Sequence, residues 1–302
     1  MGVVQKTEKI WLNGRFVEWD HAQTHVLTHT LHYGSGVFEG IRCYKTSHGT
    51  AIFRLQEHVD RLFNSATAIN MKIPFTKEEV FKAITETVRV NKLESGYIRP
   101  VAYFGYGQVG LDTTDCNVDV AIICFPMGAY LGEDAIKNGI KVMVSKQYKR
   151  YFGPLNKAKI NGNYYHSSLA KVESKKAGYA ECIMLDDRNF VSEATGENLF
   201  IIQEGAVVTP KEGSILMGIT RASVMQIARD LGIEVREQDL TRDDIMNADE
   251  AFFTGTAAEV TPINSIDGHK LKRINIASTL QKAYFDIVNG KNEKYMKWLT
   301  VV

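Results

Sequence analysis

Two lysines, Lys157 and Lys159, lie in the short segment 156–164, at the junction of a β-like run and a helix-like run. Alanine and isoleucine flank Lys159, and glycine and asparagine follow, so its amine is placed to lose part of its water. Desolvation disfavours the ammonium form, lowers the pKa of a lysine and makes the amine a nucleophile toward carbonyls. Most lysines lie on solvated faces instead. The segment therefore raises carbonyl chemistry as a hypothesis that needs support elsewhere in the chain.

Four histidines, His21, His25, His29 and His32, recur at steps of four, four and three residues, which would line one side of a helix. That spacing is compatible with zinc ligands. No cysteine stands among them, and the run leads directly into other motifs. We expect structural histidines with satisfied hydrogen bonds, and no metal site.

Residues 105–110 read Gly-Tyr-Gly-Gln-Val-Gly, which matches the glycine spacing of a dinucleotide-binding loop. That motif requires a following helix, because the helix N-terminus holds the pyrophosphate. A strand-like run begins at Val118, too soon for a crossover helix. The pattern favours a glycine-rich hairpin or a substrate-side loop over a nicotinamide dehydrogenase.

A set of motifs, ordered along nearly the whole chain, supports the hypothesis of carbonyl chemistry at the lysine segment. They are His32-Tyr33-Gly34, VFEGIR at 37–42, YIRP at 97–100, GAYLG at 128–132, AKINGNY at 158–164, SEATGENLF at 192–200, GITR at 218–221 and GTAAE at 255–259. In order and spacing they resemble the class IV (fold type IV) pyridoxal-phosphate enzymes, and specifically their branched-chain amino acid aminotransferases. The D-amino acid and (R)-amine transaminases and the aminodeoxychorismate lyases of the same fold remain alternatives.

The resemblance implies a two-domain α/β (α+β) architecture of fold type IV. We expect a smaller N-terminal α/β domain at 1–126, an interdomain loop at 127–138 and a larger cofactor-binding domain at 139–302. It also implies an L-branched-chain transaminase that uses pyridoxal 5′-phosphate and passes the amino group of leucine, isoleucine or valine to 2-oxoglutarate in a ping-pong cycle.

The resemblance also assigns the cofactor residues. Lys159 matches the Schiff-base lysine that later moves the substrate proton, with Lys157 as its rival, and Glu193 matches the acid at the pyridine nitrogen. Tyr164 matches the partner of the phenolic oxygen, and Glu197, in the same motif as Glu193, is a candidate for a supporting role. The phosphate residues are Arg61, Leu216, Ile219, Thr220 and Thr256. For Ile219 and Thr220 there is a physical reason, since the start of a predicted helix offers free N–H groups and the positive dipole end.

The substrate residues follow in the same way. Tyr33, Phe38, Tyr130 and Tyr164 match aromatic walls around a branched side chain, and Tyr97, Thr256 and Ala257 match contacts of the α-carboxylate. Arg99 at the edge of such a pocket could meet the second carboxylate of glutamate. Met127 stands where some relatives carry tryptophan, which leaves the pocket size open.

Composition restricts the function classes. The chain has 302 residues, an apolar fraction of 44% and a formal net charge of +1, with acids and bases interspersed. These values are typical of a globular protein, and they lack the basic stripe of a nucleic-acid binder. Four widely spaced cysteines, no signal-like N-terminus and no long apolar run predict a cytoplasmic protein without a membrane anchor. We expect amino acids and 2-oxo acids as partners, and a homodimer or higher homo-oligomer.

The elements that must position these residues can be predicted from periodicity and turn signals. Asn13-Gly14 predicts a hairpin turn, and Thr76 with Glu79 forms a capping box. The predicted helices are 56–70, a segment from the capping box onward, 164–177, a segment after Gly218, 241–248 and 274–289. The predicted strands are 10–12, 15–17, 97–106, 118–126, 141–145, 181–187, 198–203 and 206–209.

Overall fold

The computed structural model describes residues 4–272 and 275–302. The helices are α1 (His29–Tyr33), α2 (Leu55–Ala68), α3 (Lys77–Val90), α4 (Glu133–Asn138), α5 (Tyr164–Lys176), α6 (Ile219–Asp230), α7 (Arg242–Met246) and α8 (Ile276–Val288). Short 3-10 turns lie at Trp19–His21, Pro154–Lys157, Asn161–Asn163 and Glu293–Trp298.

The strands are β1 (Lys9–Leu12), β2 (Arg15–Glu18), β3 (Gly36–Phe38), β4 (Ile41–Thr46), β5 (Gly49–Phe53), β6 (Gly96–Phe104), β7 (Val118–Phe125), β8 (Ile140–Arg150), β9 (Glu181–Asp186), β10 (Val191–Ala194), β11 (Asn198–Gln203), β12 (Ala206–Pro210), β13 (Val235–Gln238), β14 (Glu250–Gly255), β15 (Glu259–Ile266), β16 (His269–Lys270) and β17 (Leu299–Val301).

The chain forms two compact units. The first contains residues 1–128, 158–163 and 287–302, and the second contains 129–157 and 164–286. The predicted domain division assigned 158–163 and 287–302 to the C-terminal part, whereas their contacts lie in the first unit. The segment 158–163, which carries Lys159, therefore belongs to a different unit from the residues on either side of it. The division at 126 and 138 into independently folding domains stays a prediction.

The first unit is built on an antiparallel sheet with the order β17-β5-β4-β6-β7-β1-β2, and β3 also pairs with β6. Helices α2 and α3 cover this sheet with apolar side chains at steps of three and four, including Val59, Leu62, Val80 and Ile84. Fully burying such a side chain stabilises a fold by roughly 1.5 to 3 kcal/mol. The adjacent face of α2 carries polar residues, which the site uses.

The second unit is built on a mixed sheet with the order β10-β9-β8-β15-β14-β11-β12-β13, and β16 pairs with β15. Strand β8 is parallel to both β9 and β15, whereas β14 is antiparallel to both β11 and β15. Its core includes Val142, Ile183, Leu199 and Phe253.

Most of the predicted elements are confirmed. Asn13 and Gly14 both take positive φ between β1 and β2, and Thr76 and Glu79 form the complete capping box of α3. The strands and helices lie within a few residues of the predicted bounds, apart from β8, which runs on to Arg150. The glycine-rich stretch 105–110 connects β6 to its antiparallel neighbour β7, as the hairpin interpretation predicted. Ile274, the predicted start of the last helix, lies outside the described residues.

Two expectations about local structure are wrong. The predicted interdomain loop contains α4, because Glu133 and Asp134 favour a helix N-terminus. The four histidines do not share a helix: His21 ends a 3-10 turn, His25 is non-helical, and only His29 and His32 lie in α1. His29 contacts Ser35 Oγ at 2.6 Å and the Gly110 carbonyl at 2.8 Å, as expected for a structural histidine.

Candidate active site

The main chain of Lys159 is fixed on both sides within the first unit. Its N–H donates to Ser65 Oγ at 2.9 Å, and its carbonyl accepts from the Phe38 N–H at 3.1 Å. The next residue, Ile160, forms an isolated bridge with Val37. The lysine backbone thus lies between the edge of β3 and the polar face of α2.

The side chain of Lys159 is partly desolvated. Its Nζ lies 4.5 Å from the centroid of the Phe38 ring, within the range of a cation–π contact. Burial, assisted by the nearby charge of Arg61, lowers the pKa of Lys159 from its ordinary 10.5 to about 8, while Glu39 opposes the shift. Lys157 differs, because it is exposed in a 3-10 turn and its Nζ pairs with Glu212 at 3.2 Å. This contrast favours Lys159 over Lys157 as the reactive amine.

A buried carboxylate, Glu39, lies beside the lysine segment. Its Oε1 accepts from Arg61 Nε at 2.6 Å, and its Oε2 accepts from Arg61 Nη2 at 2.8 Å and His58 Nδ1 at 2.7 Å. Burial alone would raise the pKa of Glu39, but the charges and hydrogen bonds of Arg61 and His58 hold it well below its usual range. Burial lowers the pKa of His58, so the ring is neutral and donates from Nδ1. Arg61, predicted to face a phosphate, is thus held by a fully buried anion.

Phe38 also contacts a second cation. The Arg99 guanidinium carbon lies 4.7 Å from the Phe38 ring centroid and 5.2 Å from that of Tyr97, and Arg99 Nη2 donates to the Tyr97 hydroxyl at 3.0 Å. The buried Nε of Arg99 has no hydrogen-bond partner in the part of the chain that the structure describes. A Cβ at residue 40 would collide with the Tyr97 hydroxyl, so the observed position of the Tyr97 ring requires glycine at residue 40. Phe38 and Tyr97 thus form an aromatic surface with Arg99 at its edge.

In the second unit, Glu193 is a buried carboxylate with several donors. Its Oε1 pairs with Arg150 Nη2 at 2.8 Å. Its Oε2 accepts from Asn198 Nδ2 at 2.9 Å and from the Leu216 N–H at 3.0 Å. A charged partner and two further donors fix both the position of this carboxylate and its negative charge.

Glu193 is tied to the start of α6. Asn198 Nδ2 also donates to the Leu216 carbonyl at 2.8 Å, and a Cβ at Gly218 would collide with Asn198 Oδ1. Gly218 is the N-cap of α6, whose first residues are Ile219 and Thr220. The structure therefore brings together four residues of the predicted cofactor set, Glu193, Leu216, Ile219 and Thr220, at a helix N-terminus of the kind that binds anions.

Glu197 contrasts with Glu193. It is buried, and its Oε2 accepts a 3.1 Å hydrogen bond from the Gly196 N–H. Burial and the neighbouring charge of Glu181 raise the pKa of Glu197 to about 8. Glu181 itself is paired with Lys171 Nζ at 2.6 Å. At neutral pH Glu197 is therefore a protonated acid and cannot supply the anion that Glu193 supplies.

The other predicted residues occupy separate positions. Tyr164 begins α5, Tyr130 precedes α4, and Thr256 and Ala257 form the turn between β14 and β15; all four are partly buried. Tyr33 ends α1 and is 45% exposed. Met127 follows β7 and is also partly buried.

Four residues that support the predicted ones, directly or through each other, were missed from the sequence: Glu39, His58, Ser65 and Arg150. Each contacts its partner through the tertiary fold rather than through helix or strand spacing. One signal was available for Glu39, since a glutamate within the apolar run 37–41 must be paired if that run is buried. No comparable signal marks His58 or Arg150.

The described residues contain no cluster of three or more histidine, cysteine or carboxylate side chains suited to a metal ion. Within the same residues, no helix is long and apolar enough to cross a membrane. The first unit offers an amine of lowered pKa and an arginine, and the second unit offers a paired carboxylate and a helix N-terminus. Each of these groups is of a kind that pyridoxal phosphate requires, namely an amine for its aldehyde, an anion for its pyridine nitrogen and a site for its phosphate.

Comparison with known proteins supports this interpretation. Residues 36–266 match the model of the family described as amino-transferase class IV. The chain is 47% identical over its whole length, and over the whole of the relative, to a branched-chain-amino-acid aminotransferase of Pseudomonas aeruginosa. The crystal structure of the Escherichia coli enzyme of that name superposes with a TM-score of 0.94 at 41% identity, covering 97% of this chain and 99% of that one. The branched-chain aminotransferase of the archaeon Thermoproteus uzoniensis, solved with norvaline, gives a TM-score of 0.93 at 44% identity, covering 97% and 99%.

The ion pair between Arg150 and Glu193 makes a prediction about stability. Arg150→Met leaves a buried carboxylate without its cation, which should lower the free energy of unfolding by about 3 kcal/mol or more. Chemical denaturation of both proteins measures the difference. Arg236→Met is the matched control, because Arg236 pairs with Glu234 at the surface, and its effect should be much smaller. Equal effects of the two substitutions would contradict the structural role given to Arg150.

Proposed function

The chain belongs to the class IV aminotransferase family, and we propose that it is a pyridoxal-phosphate-dependent transaminase of L-branched-chain amino acids with 2-oxoglutarate as the amino acceptor. The observation that carries the proposal is the partly desolvated Lys159 amine at the Phe38 ring, which Arg99 also contacts, since a nucleophile, an apolar wall and a cation meet there. The relatives named for this activity agree with it.

Each predicted residue has a role in this proposal. Lys159 binds the cofactor aldehyde, Glu193 faces the pyridine nitrogen, and Tyr164 meets the phenolic oxygen. The residues Arg61, Leu216, Ile219, Thr220 and Thr256 hold the phosphate. When bound, the cofactor supplies an electron sink for the negative charge that develops at the substrate Cα.

The pKa of Lys159 suits it to proton transfer. With a pKa of about 8, roughly one amine in ten is neutral at pH 7, against about one in 3,000 at a pKa of 10.5. As a neutral amine Lys159 would accept the proton that the substrate Cα loses, and as the ammonium it would hold that proton for its return.

The substrate pocket must accept both leucine and glutamate. Phe38, Tyr33, Tyr130 and Tyr164 are the proposed aromatic walls, and Tyr97, Thr256 and Ala257 the proposed contacts of the shared α-carboxylate. The unpartnered Nε of Arg99, the only such arginine atom among the described residues, supports a role in meeting the second carboxylate of glutamate.

Two broader properties are proposed with the activity. All four cysteines are free, which supports a reducing, cytoplasmic location. Apolar side chains are exposed in the first unit, among them Val26, Leu31, Val109 and Leu111, which supports a homodimer or higher homo-oligomer.

A panel of L- and D-amino acids with 2-oxoglutarate tests the function directly. We expect turnover with L-leucine, L-isoleucine and L-valine and with L-glutamate in the reverse direction. Turnover restricted to D-amino acids, to (R)-amines or to a lyase substrate would contradict the proposal and assign one of the alternative activities of this fold.

Lys159→Ala should remove the visible absorption of the bound cofactor and reduce transamination at least about a thousandfold, because Lys159 is the group proposed to move the substrate proton. Lys157→Ala, the matched control, should leave both properties near those of the parent. Borohydride reduction of the loaded protein, followed by peptide mapping, identifies the modified lysine. Modification of Lys157 would contradict the assignment.

Glu193→Gln keeps the shape of the side chain but removes the charge that faces the pyridine nitrogen. The turnover rate should fall much more than the affinity for the cofactor. Glu212→Gln, at an exposed glutamate of the same unit, provides the control. A rate within about threefold of the parent, less than roughly 1 kcal/mol in the barrier, would exclude the proposed role of Glu193.

Arg99→Ala should distinguish the two half-reactions. An unpaired carboxylate in this pocket costs about 2 to 5 kcal/mol, so the half-reaction with glutamate should slow by at least about thirtyfold more than that with leucine. Single-turnover measurements with each amino acid give the two rates. Equal losses of rate with the two amino acids would indicate that Arg99 contacts the α-carboxylate, which both substrates share, or that its role is structural.

A further inference from the structure

One face of α2 is polar although it is turned toward the core of the first unit. His58, Arg61 and Ser65 follow each other at steps of three and four, so they lie on one side of the helix. Ser65 Oγ accepts a hydrogen bond from the N–H of Lys159, while His58 and Arg61 both donate hydrogen bonds to Glu39. The reactive lysine and the Glu39 carboxylate are therefore supported by consecutive turns of the same helix.

Glu39 is linked to Lys159 by a second route. It directly follows Phe38, whose N–H donates to the Lys159 carbonyl and whose ring contacts the Lys159 amine. The Glu39 N–H in turn donates to the Pro100 carbonyl on β6, at 2.8 Å. The carboxylate is thus held rigidly in relation to both the backbone and the amine of the lysine.

Charges of both signs act on the Lys159 amine. The charges of Arg61 and Arg99 disfavour the ammonium form of Lys159, Tyr97 favours it, and His58 is a neutral imidazole. Glu39 is the carboxylate that acts on the amine and favours its charged form. Its side chain is completely buried, so water does not screen its effect.

We propose that Glu39 is a positioning residue for the reactive lysine: its carboxylate holds Arg61 by two hydrogen bonds and offsets the charge of that guanidinium beside the Lys159 amine. This inference rests on the proposed role of Lys159, and it assigns to the chain a residue that sets how that amine titrates. Glu39 itself touches neither the substrate nor the reacting atoms.

The sign of the effect follows from the charges. Burial and Arg61 disfavour the ammonium form of Lys159, and Glu39 favours it. Loss of the Glu39 charge leaves the two arginines unopposed, so the amine should lose its proton at lower pH. Loss of the Arg61 charge removes the larger of these two opposing charge effects, so the amine should lose its proton at higher pH.

The test uses the whole chain, freed of cofactor by hydroxylamine treatment and dialysis, and trinitrobenzenesulfonate, which reacts with neutral amines. The labelling rate of Lys159 is followed against pH by peptide mass spectrometry, and its midpoint reports the titration of the amine. In Glu39→Gln the midpoint should fall by about one pH unit or more. Glu57→Gln is the matched control, because Glu57 lies on α2 and pairs with Arg54 away from the lysine; its midpoint should equal that of the parent.

Two further variants separate a charge effect from a general disturbance. Arg61→Met should shift the midpoint upward, and the double variant Glu39→Gln/Arg61→Met should return it close to that of the parent. Thermal unfolding and circular dichroism show whether each variant is folded. If Glu39→Gln alone does not fold, the upward shift in Arg61→Met carries the test.

An unchanged midpoint in folded Glu39→Gln or Arg61→Met, or a downward shift that persists in the double variant, would overturn the proposal. A structural role would change stability without shifts of opposite sign. Because the assay measures no transamination, a failure of the proposed function would leave these midpoints unaffected, and the two outcomes can be told apart.

Discussion

The ion pair between Arg61 and Glu39 is the constraint on which the lysine side of the site depends. A carboxylate with no exposed surface is tolerated only when its hydrogen-bonding and charge requirements are met by fixed partners. Meeting them locks the end of β3 against one face of α2. Phe38, at the end of β3, and Ser65, on α2, then form hydrogen bonds with the backbone of Lys159. The position of that backbone therefore follows from the position of the ion pair.

The second unit contains a comparable arrangement around Glu193. Arg150 supplies the charge, and Asn198 with the Leu216 N–H supplies the further donors. Glu197, four residues along, forms no such ion pair within the described chain and is neutral at pH 7, since burial raises its pKa to about 8. Two glutamates of one motif thus differ in charge because their surroundings differ, and only Glu193 can serve as an anion.

The sequence predicts the longer helices and eight of the strands, because turn signals and apolar periodicity act locally, but it gives no prediction for β3 to β5, β10 or β13 to β17. Asn13-Gly14, the capping box at Thr76 and the glycine hairpin after β6 are examples. It also distinguishes Lys159 from Lys157, although only through the motif that follows. The contacts that support the site residues join positions far apart in the sequence. Glu39 meets Arg61 across 22 residues, and Ser65 meets Lys159 across 94, and no local pattern encodes contacts of that separation.

Those separations have a consequence for the order in which the molecule is assembled. Ser65 and Phe38 are synthesised long before Lys159, and loop-closure entropy opposes the contacts that join them to it. Until those contacts form, the lysine amine is solvated and keeps the ordinary basicity of an exposed lysine. A nascent or partly folded chain therefore carries an amine that is almost entirely protonated, and its neutral, nucleophilic fraction rises only when the first unit closes around it.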